Sequence, residues 1–226
     1  MDSMISKINY FSDKATFETI NDSNSGAILR KVKDEENTYF LKIVPNNNID
    51  IDKIQKIIQI YEKYDINTIK LLDYGYIDDK VYLIYNFING FALNTVYDKY
   101  NINDYRNMGF SIGSNYRIIN SNHEFDDYFL NDYDINNLAN QFIDSFQNLY
   151  NGKLSYIKNI IDEEKMENII NRMKELISSF DNEKKVYIHA DMHPKNIMID
   201  NNRNLYIIDI ESFSIDYFVM NVRWSV

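Results

Sequence analysis

Two kinds of apolar spacing follow one another along this chain, and their order decides its fold class. Short runs rich in β-branched and aromatic residues occupy positions 15–20, 27–32 and 38–44, broken by a small polar turn at 21–26 and a charged turn at 33–37. Ile51, Ile54, Ile57 and Ile58 with Tyr61 then predict one amphipathic helix over 51–64. Two further strands are read at 69–76 and 81–87, around a turn at 77–80. After Gly90 the spacing becomes helical, at 103–121, 135–150 and 162–180, with Asp162 placed to cap the last helix. Strand signals return at 186–189, 196–199 and 205–208. Elements segregated in this way predict an α+β fold rather than an alternating parallel sheet. An antiparallel β-rich lobe with one helix, residues 1–88, precedes a mainly helical lobe, residues 89–226, with a hinge at 86–90.

Composition narrows the function classes. The 226 residues suit one large domain or two small lobes, and the apolar share of 45% excludes a disordered chain. No Cys is present, which excludes a disulfide frame, a thiolate nucleophile and a zinc–thiolate site. The formal charge of −10 argues against nucleic acid as a partner, since that needs clustered Lys and Arg, and it is compatible with a cationic small molecule. No long uncharged apolar run occurs, so no membrane association is expected. The first residues lack the apolar core of a signal peptide, and a cytoplasmic location is expected.

The chemistry is written between Tyr187 and Glu211, in YIHADMHPKNIMIDNNRNLYIIDIE. Asp191 and Asn196 flank a tight His-Pro segment, which suits a loop that points both side chains into one space. Asp209 ends the apolar run of Tyr206, Ile207 and Ile208, where a lone carboxylate is costly unless it meets a polar partner or a cation. A carboxylate with an amide oxygen offers the hard ligands that Mg²⁺ takes alongside phosphate and water. The other Asp is then free to accept a hydroxyl proton.

The stretch His189-Ala-Asp191-Met-His-Pro-Lys-Asn196, followed by Ile207-Ile208-Asp209-Ile-Glu211, resembles the catalytic and metal loops of the aminoglycoside phosphotransferase and choline kinase family. These are small-molecule relatives of protein kinases, whose corresponding loops read H-R-D-x-x-x-x-N and D-F-G. The Asp-to-Asn spacing is the same, and so is the order of elements over about residues 15–221. The resemblance implies a bilobal protein-kinase-like fold and ATP or GTP as co-substrate with Mg²⁺. It implies that Asp191 deprotonates the acceptor hydroxyl, that Asn196 and Asp209 hold the metal, and that Lys42 contacts the nucleotide phosphates. The turn containing Ser23, Asn24 and Ser25 lies where the family covers the nucleotide, and Asn86, Phe87 and Ile88 where backbone groups meet the adenine edge. Strict alternation puts Lys42 on the face opposite Leu41 and Ile43, consistent with that role. His189 and His193 read as residues that shape the loop. Glu211 reads equally as a metal contact or as a cap on the following turn.

The chain departs from the family in three places. The helix after the Lys strand normally supplies a Glu that pairs with the Lys; here that position falls near Gln55, with Glu62 as the alternative. Asp216 stands where the family often has an Asp, but Asn221 stands where a second is common. Relatives also continue into further helices that help close the acceptor pocket, which implies a truncated product or a compact version. The apolar tail from Tyr217 to Trp224 then suits burial against its own core or against another copy, as a homo-oligomer. The expected activity is an O-phosphotransferase acting on a small cationic acceptor, an aminoglycoside-like antibiotic or an amino-alcohol. The alternative is a catalytically silent kinase-like binding module. A protein kinase is disfavoured because too few residues follow the metal loop for an activation segment.

Overall fold

The computed structural model describes residues 4–20, 26–46, 49–121, 143–148, 150–152, 161–179 and 185–217. The chain divides into two compact units, Met1–Ser121 with His189–Phe213, and Asn122–Ile188 with Ser214–Arg223.

The first unit is built on a five-stranded antiparallel sheet. Its strands β1 (Thr16–Thr19), β2 (Ile28–Asp34), β3 (Asn37–Pro45), β4 (Leu71–Ile77) and β5 (Lys80–Asn86) lie in the order β1-β2-β3-β5-β4. Alternation sorts the side chains. Val32, Leu41, Ile43, Ile77 and Ile84 form a core on one face, closed by Ile5, Ile8 and Ala15 from the N-terminal segment. The register of β3 on β5 pairs Lys42 with Leu83 and Phe40 with Tyr85, so these four share the other face. Leu83 and Tyr85 are fully buried there.

Helix α1 (Ile51–Lys63) starts at Asp50, whose side chain accepts from the Lys53 N–H at 2.9 Å. Its apolar stripe, from Ile51 to Tyr61, is buried at the predicted spacing. Helix α2 (Ile102–Asn120) opens with a capping box between Asn101 and Asp104. A second, three-stranded sheet joins β6 (Gly90–Ala92), β8 (Ile197–Asp200) and β9 (Leu205–Ile207) in the order β6-β8-β9. The expected hinge therefore runs directly into a strand. Gly90 lies so close to β8 that a Cβ would collide with the Ile199 carbonyl oxygen, so only glycine fits this pairing.

In the second unit, helix α3 (Glu163–Ser179) is capped by Asp162, which accepts from the Lys165 N–H at 2.9 Å. Ile143, Tyr150, Met166 and Ile170 form its core, and the Tyr150 hydroxyl donates to the Ile161 carbonyl at 2.7 Å. Strand β7 (Lys185–His189) pairs with β10 (Phe213–Tyr217), a strand that alternation in Phe213-Ser214-Ile215 encodes and that reaches the first residue of the apolar tail, Tyr217. The remainder of that tail, residues 218–224, lies outside the described residues, as does most of the helix expected at 135–150. Among the described residues no helix is long and apolar enough to cross a membrane.

Candidate active site

The site is assembled within the first unit from three segments that sequence separates widely: β3, the turn at 189–196 and the turn after β9. The ladder between β8 and β9 brings the last two together. Ile197 faces Ile207, and one step further the Ile208 N–H donates to the Asn196 carbonyl at 3.0 Å. Two more bonds fasten the same turns. The Ala190 N–H donates to the Ser212 carbonyl at 2.9 Å, and His189 Nε2 lies 2.8 Å from the Ile208 carbonyl.

His189 is the pin of this arrangement. The Asp191 N–H donates to its Nδ1 at 3.3 Å, so Nδ1 is bare and the proton sits on Nε2, where it is donated to Ile208. Burial drives the imidazole pKa below its ordinary 6.5, against the pull of the Ile208 carbonyl and the nearby carboxylates, and keeps the ring neutral. Behind it, the hydroxyls of Tyr61 on α1 and Tyr116 on α2 lie 3.3 Å apart. Tyr116 also takes a backbone hydrogen bond from His189, and burial holds both phenols protonated. The expectation that His189 shapes the loop agrees with these bonds.

Asp191 is half-exposed, and Asn196 is buried beside it. The Asn196 amide nitrogen donates both to the Asp191 carbonyl, at 2.9 Å, and to its carboxylate Oδ2, at 3.1 Å. That orientation leaves Asn196 Oδ1 as the atom it can offer a cation. His193 Nδ1 accepts from the Lys195 N–H at 3.2 Å, so its Nε2 carries the proton, 3.5 Å from Asp191 Oδ2.

Asp209 follows β9 with φ +58° and ψ +43°, the left-handed conformation that Asp tolerates better than most residues. The turn ends the strand and sets the carboxylate on Lys42, Nζ to Oδ1 2.6 Å. The same ammonium is 3.0 Å from Glu211 Oε1, which also accepts from the Tyr85 hydroxyl at 3.1 Å. Burial works against the charge on Lys42, but the carboxylates of Glu211 and Asp209 outweigh it and raise its pKa. Burial likewise works against ionised Asp209, and Lys42 reverses the effect and lowers its pKa.

Neither residue weighed as the partner of Lys42 reaches it. Gln55 is exposed on α1, and Glu62 pairs instead with Lys70 at 3.4 Å on the surface. Glu211 supplies the carboxylate, from the turn rather than the helix. The contact spans 169 positions, and no local pattern announces it.

The donor set fits a hard divalent cation. Asp209 contributes carboxylate oxygens and Asn196 an amide oxygen, and Glu211 Oε2 is buried with no hydrogen-bond partner, an orphan that a cation would satisfy. Among the described residues no three His, Cys, Asp or Glu form a ready-made metal cage.

Along the linker after β5, a cavity of about 250 Å³ is lined by Asn86, Phe87, Ile88 and Asn89 and by the β8–β9 hairpin, including Asp200 and Tyr206. Asn86 is committed to the sheet: its N–H donates to the Lys70 carbonyl at 3.1 Å, and its side chain accepts from the Lys70 N–H at 2.6 Å. The Lys31 ammonium lies 5.0 Å from the centre of the Phe87 ring. Ser23, Asn24 and Ser25 lie outside the described residues.

The profile of the phosphotransferase enzyme family matches residues 17–222. No curated protein matches the chain. Among solved structures, it is similar to spectinomycin phosphotransferase in complex with ADP and spectinomycin, at 16% identity and a TM-score of 0.63, covering 93% of this chain and 67% of that one. An aminoglycoside phosphotransferase in a ternary complex with streptomycin and ATP gives 14% identity and 0.63, over 96% and 73%. Plasmodium vivax ethanolamine kinase gives 18% identity and 0.59, over 93% of this chain and 59% of the kinase. At these identities the likeness establishes the fold, which is that of the protein-kinase-like phosphotransferases.

Proposed function

The chain belongs to the phosphotransferase enzyme family and is a small-molecule phosphotransferase; from that premise we propose that it moves the terminal phosphate of ATP to a hydroxyl of a small cationic acceptor. The observation that carries the reading is the double hydrogen bond from Asn196 to Asp191, on a turn whose Asn196 carbonyl accepts from the N–H of Ile208, the residue before Asp209.

In this reading Asp191 is the catalytic base. Its half-exposed carboxylate accepts the proton of the acceptor hydroxyl as that oxygen bonds to the terminal phosphorus and the bridging oxygen of the nucleotide leaves. Asn196 orients the carboxylate and, with Asp209, holds Mg²⁺. When bound, Mg²⁺ neutralises charge on the transferring phosphates. Lys42 meets the phosphates with its ammonium, which its two carboxylates keep charged. Asn86, Phe87 and Ile88 present the linker to the base of the nucleotide, and Ser23, Asn24 and Ser25 belong to the covering turn. Residues 1–88 then form the nucleotide-binding lobe and residues 89–226 the acceptor lobe. Positioning and charge stabilisation supply most of the rate in such chemistry.

Three lines support a cationic, hydroxylated acceptor: the net charge of −10, solved neighbours that hold spectinomycin or streptomycin, and a neighbour named as an ethanolamine kinase. The test is nucleotide turnover by the purified protein with Mg²⁺ and ATP against a panel of aminoglycosides and amino-alcohols. ADP release that requires one acceptor class supports the reading, and turnover with none of them contradicts it.

A further inference from the structure

Tyr85 is one of 19 tyrosines and lies in β5. Its ring is fully buried and stacks on Phe40, with centroids 6.3 Å apart and planes 28° apart. Its hydroxyl does something packing does not require. It donates to Glu211 Oε1, the same oxygen that Lys42 holds, so two donors converge on one acceptor while Oε2 has none. The convergence fixes the carboxylate, because moving Glu211 out of this position would break both bonds at once. Strand geometry makes it possible: the β3–β5 register puts Tyr85 opposite Phe40 and so on the face that Lys42 occupies.

We propose that Tyr85 is a positioning residue for phosphoryl transfer, its hydroxyl holding Glu211 so that Glu211 holds the Lys42 ammonium in place. The proposal rests on the reading of Lys42 as the phosphate contact. Glu211 and Tyr85 together do what a carboxylate on α1 does not do here, since Gln55 and Glu62 both face solvent. Without the hydroxyl, Glu211 is free to turn, and Lys42 is left to Asp209, its nearer partner at 2.6 Å. The ammonium then neutralises the carboxylate expected to serve the metal. Burial and the negative charge of Glu211 push the phenol well above its ordinary 10, so Tyr85 stays a donor at every working pH.

The test is a double-mutant cycle on nucleotide binding. ADP affinity is measured calorimetrically in EDTA, so that the readout needs neither metal nor turnover, for the full chain and for Tyr85→Phe, Lys42→Met and the double variant. Tyr85→Phe keeps the ring and should weaken ADP about ten-fold, the worth of one hydrogen bond to a charged group. In the Lys42→Met background the same change should do nothing further. In steady state Tyr85→Phe should raise KM for ATP and leave KM for the acceptor unchanged, a split that general loosening of the fold would not produce. Normal ADP affinity in Tyr85→Phe with impaired Lys42→Met overturns this proposal alone. Normal affinity in Lys42→Met overturns the phosphate-contact reading and this proposal with it. Additive losses overturn the route through Lys42. If Tyr85→Phe fails to fold, Glu211→Gln takes its place in the cycle with the same expected pattern.

Discussion

The two halves of the candidate site are held by different means. The turn carrying Asp191 and Asn196 is fastened by two backbone–backbone bonds, Ile208 to Asn196 and Ala190 to Ser212, and by the His189 ring, which binds the backbone of Asp191 and of Ile208. Lys42 is fastened by side chains alone, to Asp209 and Glu211, with Tyr85 behind them. Backbone groups bonded to one another have no alternative partner and cannot be redistributed without local unfolding. An ion pair between side chains can exchange partners when a phosphate or a cation arrives. The turn of Asp191 and Asn196 is therefore built rigid and the pairing of Lys42 adjustable, and each substitution below tests one half of that contrast.

The largest effect belongs to the rigid half. Asp191→Asn keeps the shape of the turn and removes only the basic oxygen, so kcat should fall about 10³-fold, within the range for loss of a general base. ADP binding should be retained, because no contact of Lys42 is touched. Single-turnover assays beside calorimetry read both quantities, and a variant with normal kcat removes Asp191 from the mechanism.

His189→Leu tests whether the turn is as fastened as its bonds imply. It leaves the Asp191 N–H and the Ile208 carbonyl without this partner, for a loss of about 1–3 kcal/mol in chemical denaturation. A drop in kcat smaller than that of Asp191→Asn should accompany it, since the base is loosened but present. The wild type should also carry a pH signature. The folded-state pKa of His189 lies below 6.5, so the unfolded chain binds the proton more readily. Stability from this residue is full above pH 6.5 and is lost as pH falls towards the depressed value, with a slope of at most about 1.4 kcal/mol per pH unit. His189→Leu should flatten that slope, and a slope unchanged by the substitution would show that the ring is not held neutral.

Thr68→Val is a smaller probe of the same half. The buried Thr68 hydroxyl donates to the Ile207 carbonyl at 2.6 Å, tying the segment after α1 to β9, two residues before Asp209. The nearly isosteric change should cost about 1 kcal/mol in denaturant unfolding. A neutral result would mean that the hydroxyl adds nothing to what already holds β9, its ladder to β8 and the bond from the Ile207 N–H to the Asn67 carbonyl at 3.0 Å.

The contrast also explains what was legible beforehand. His189, Asp191, Asn196 and Asp209 fall within 21 positions, on turns whose chemistry is local, and their spacing could be read directly. The strands and α1 could be read because Leu41 and Ile43 alternate with Lys42, and because the isoleucines of α1 repeat at helical spacing. Glu211 and Tyr85 were not legible as a pair. They are 126 positions apart, and a strand tyrosine that uses its hydroxyl looks the same as one that only packs. Strand β6 was missed because three residues are too few for alternation to show, and its signal was Gly90, which reads equally as a hinge. The chain has only 6 glycines and 2 prolines, so boundaries carried little punctuation.

The smallest expected effect sharpens the contrast most directly, because it concerns the helix that takes no part in it. Kinase-like sites normally hold the lysine from the helix after its strand, and α1 offers Gln55 and Glu62 for that task. Here Gln55 is exposed, and Glu62 makes a solvent-accessible pair with Lys70 at 3.4 Å, of the kind that contributes little to stability. Gln55→Ala and Glu62→Gln should therefore leave melting temperature, KM for ATP and kcat at wild-type values, whereas Glu211→Gln should raise KM for ATP. A rise in KM for ATP in Glu62→Gln comparable to that in Glu211→Gln would mean that the working enzyme draws Lys42 towards α1, and that the Glu211 pair belongs only to the nucleotide-free state.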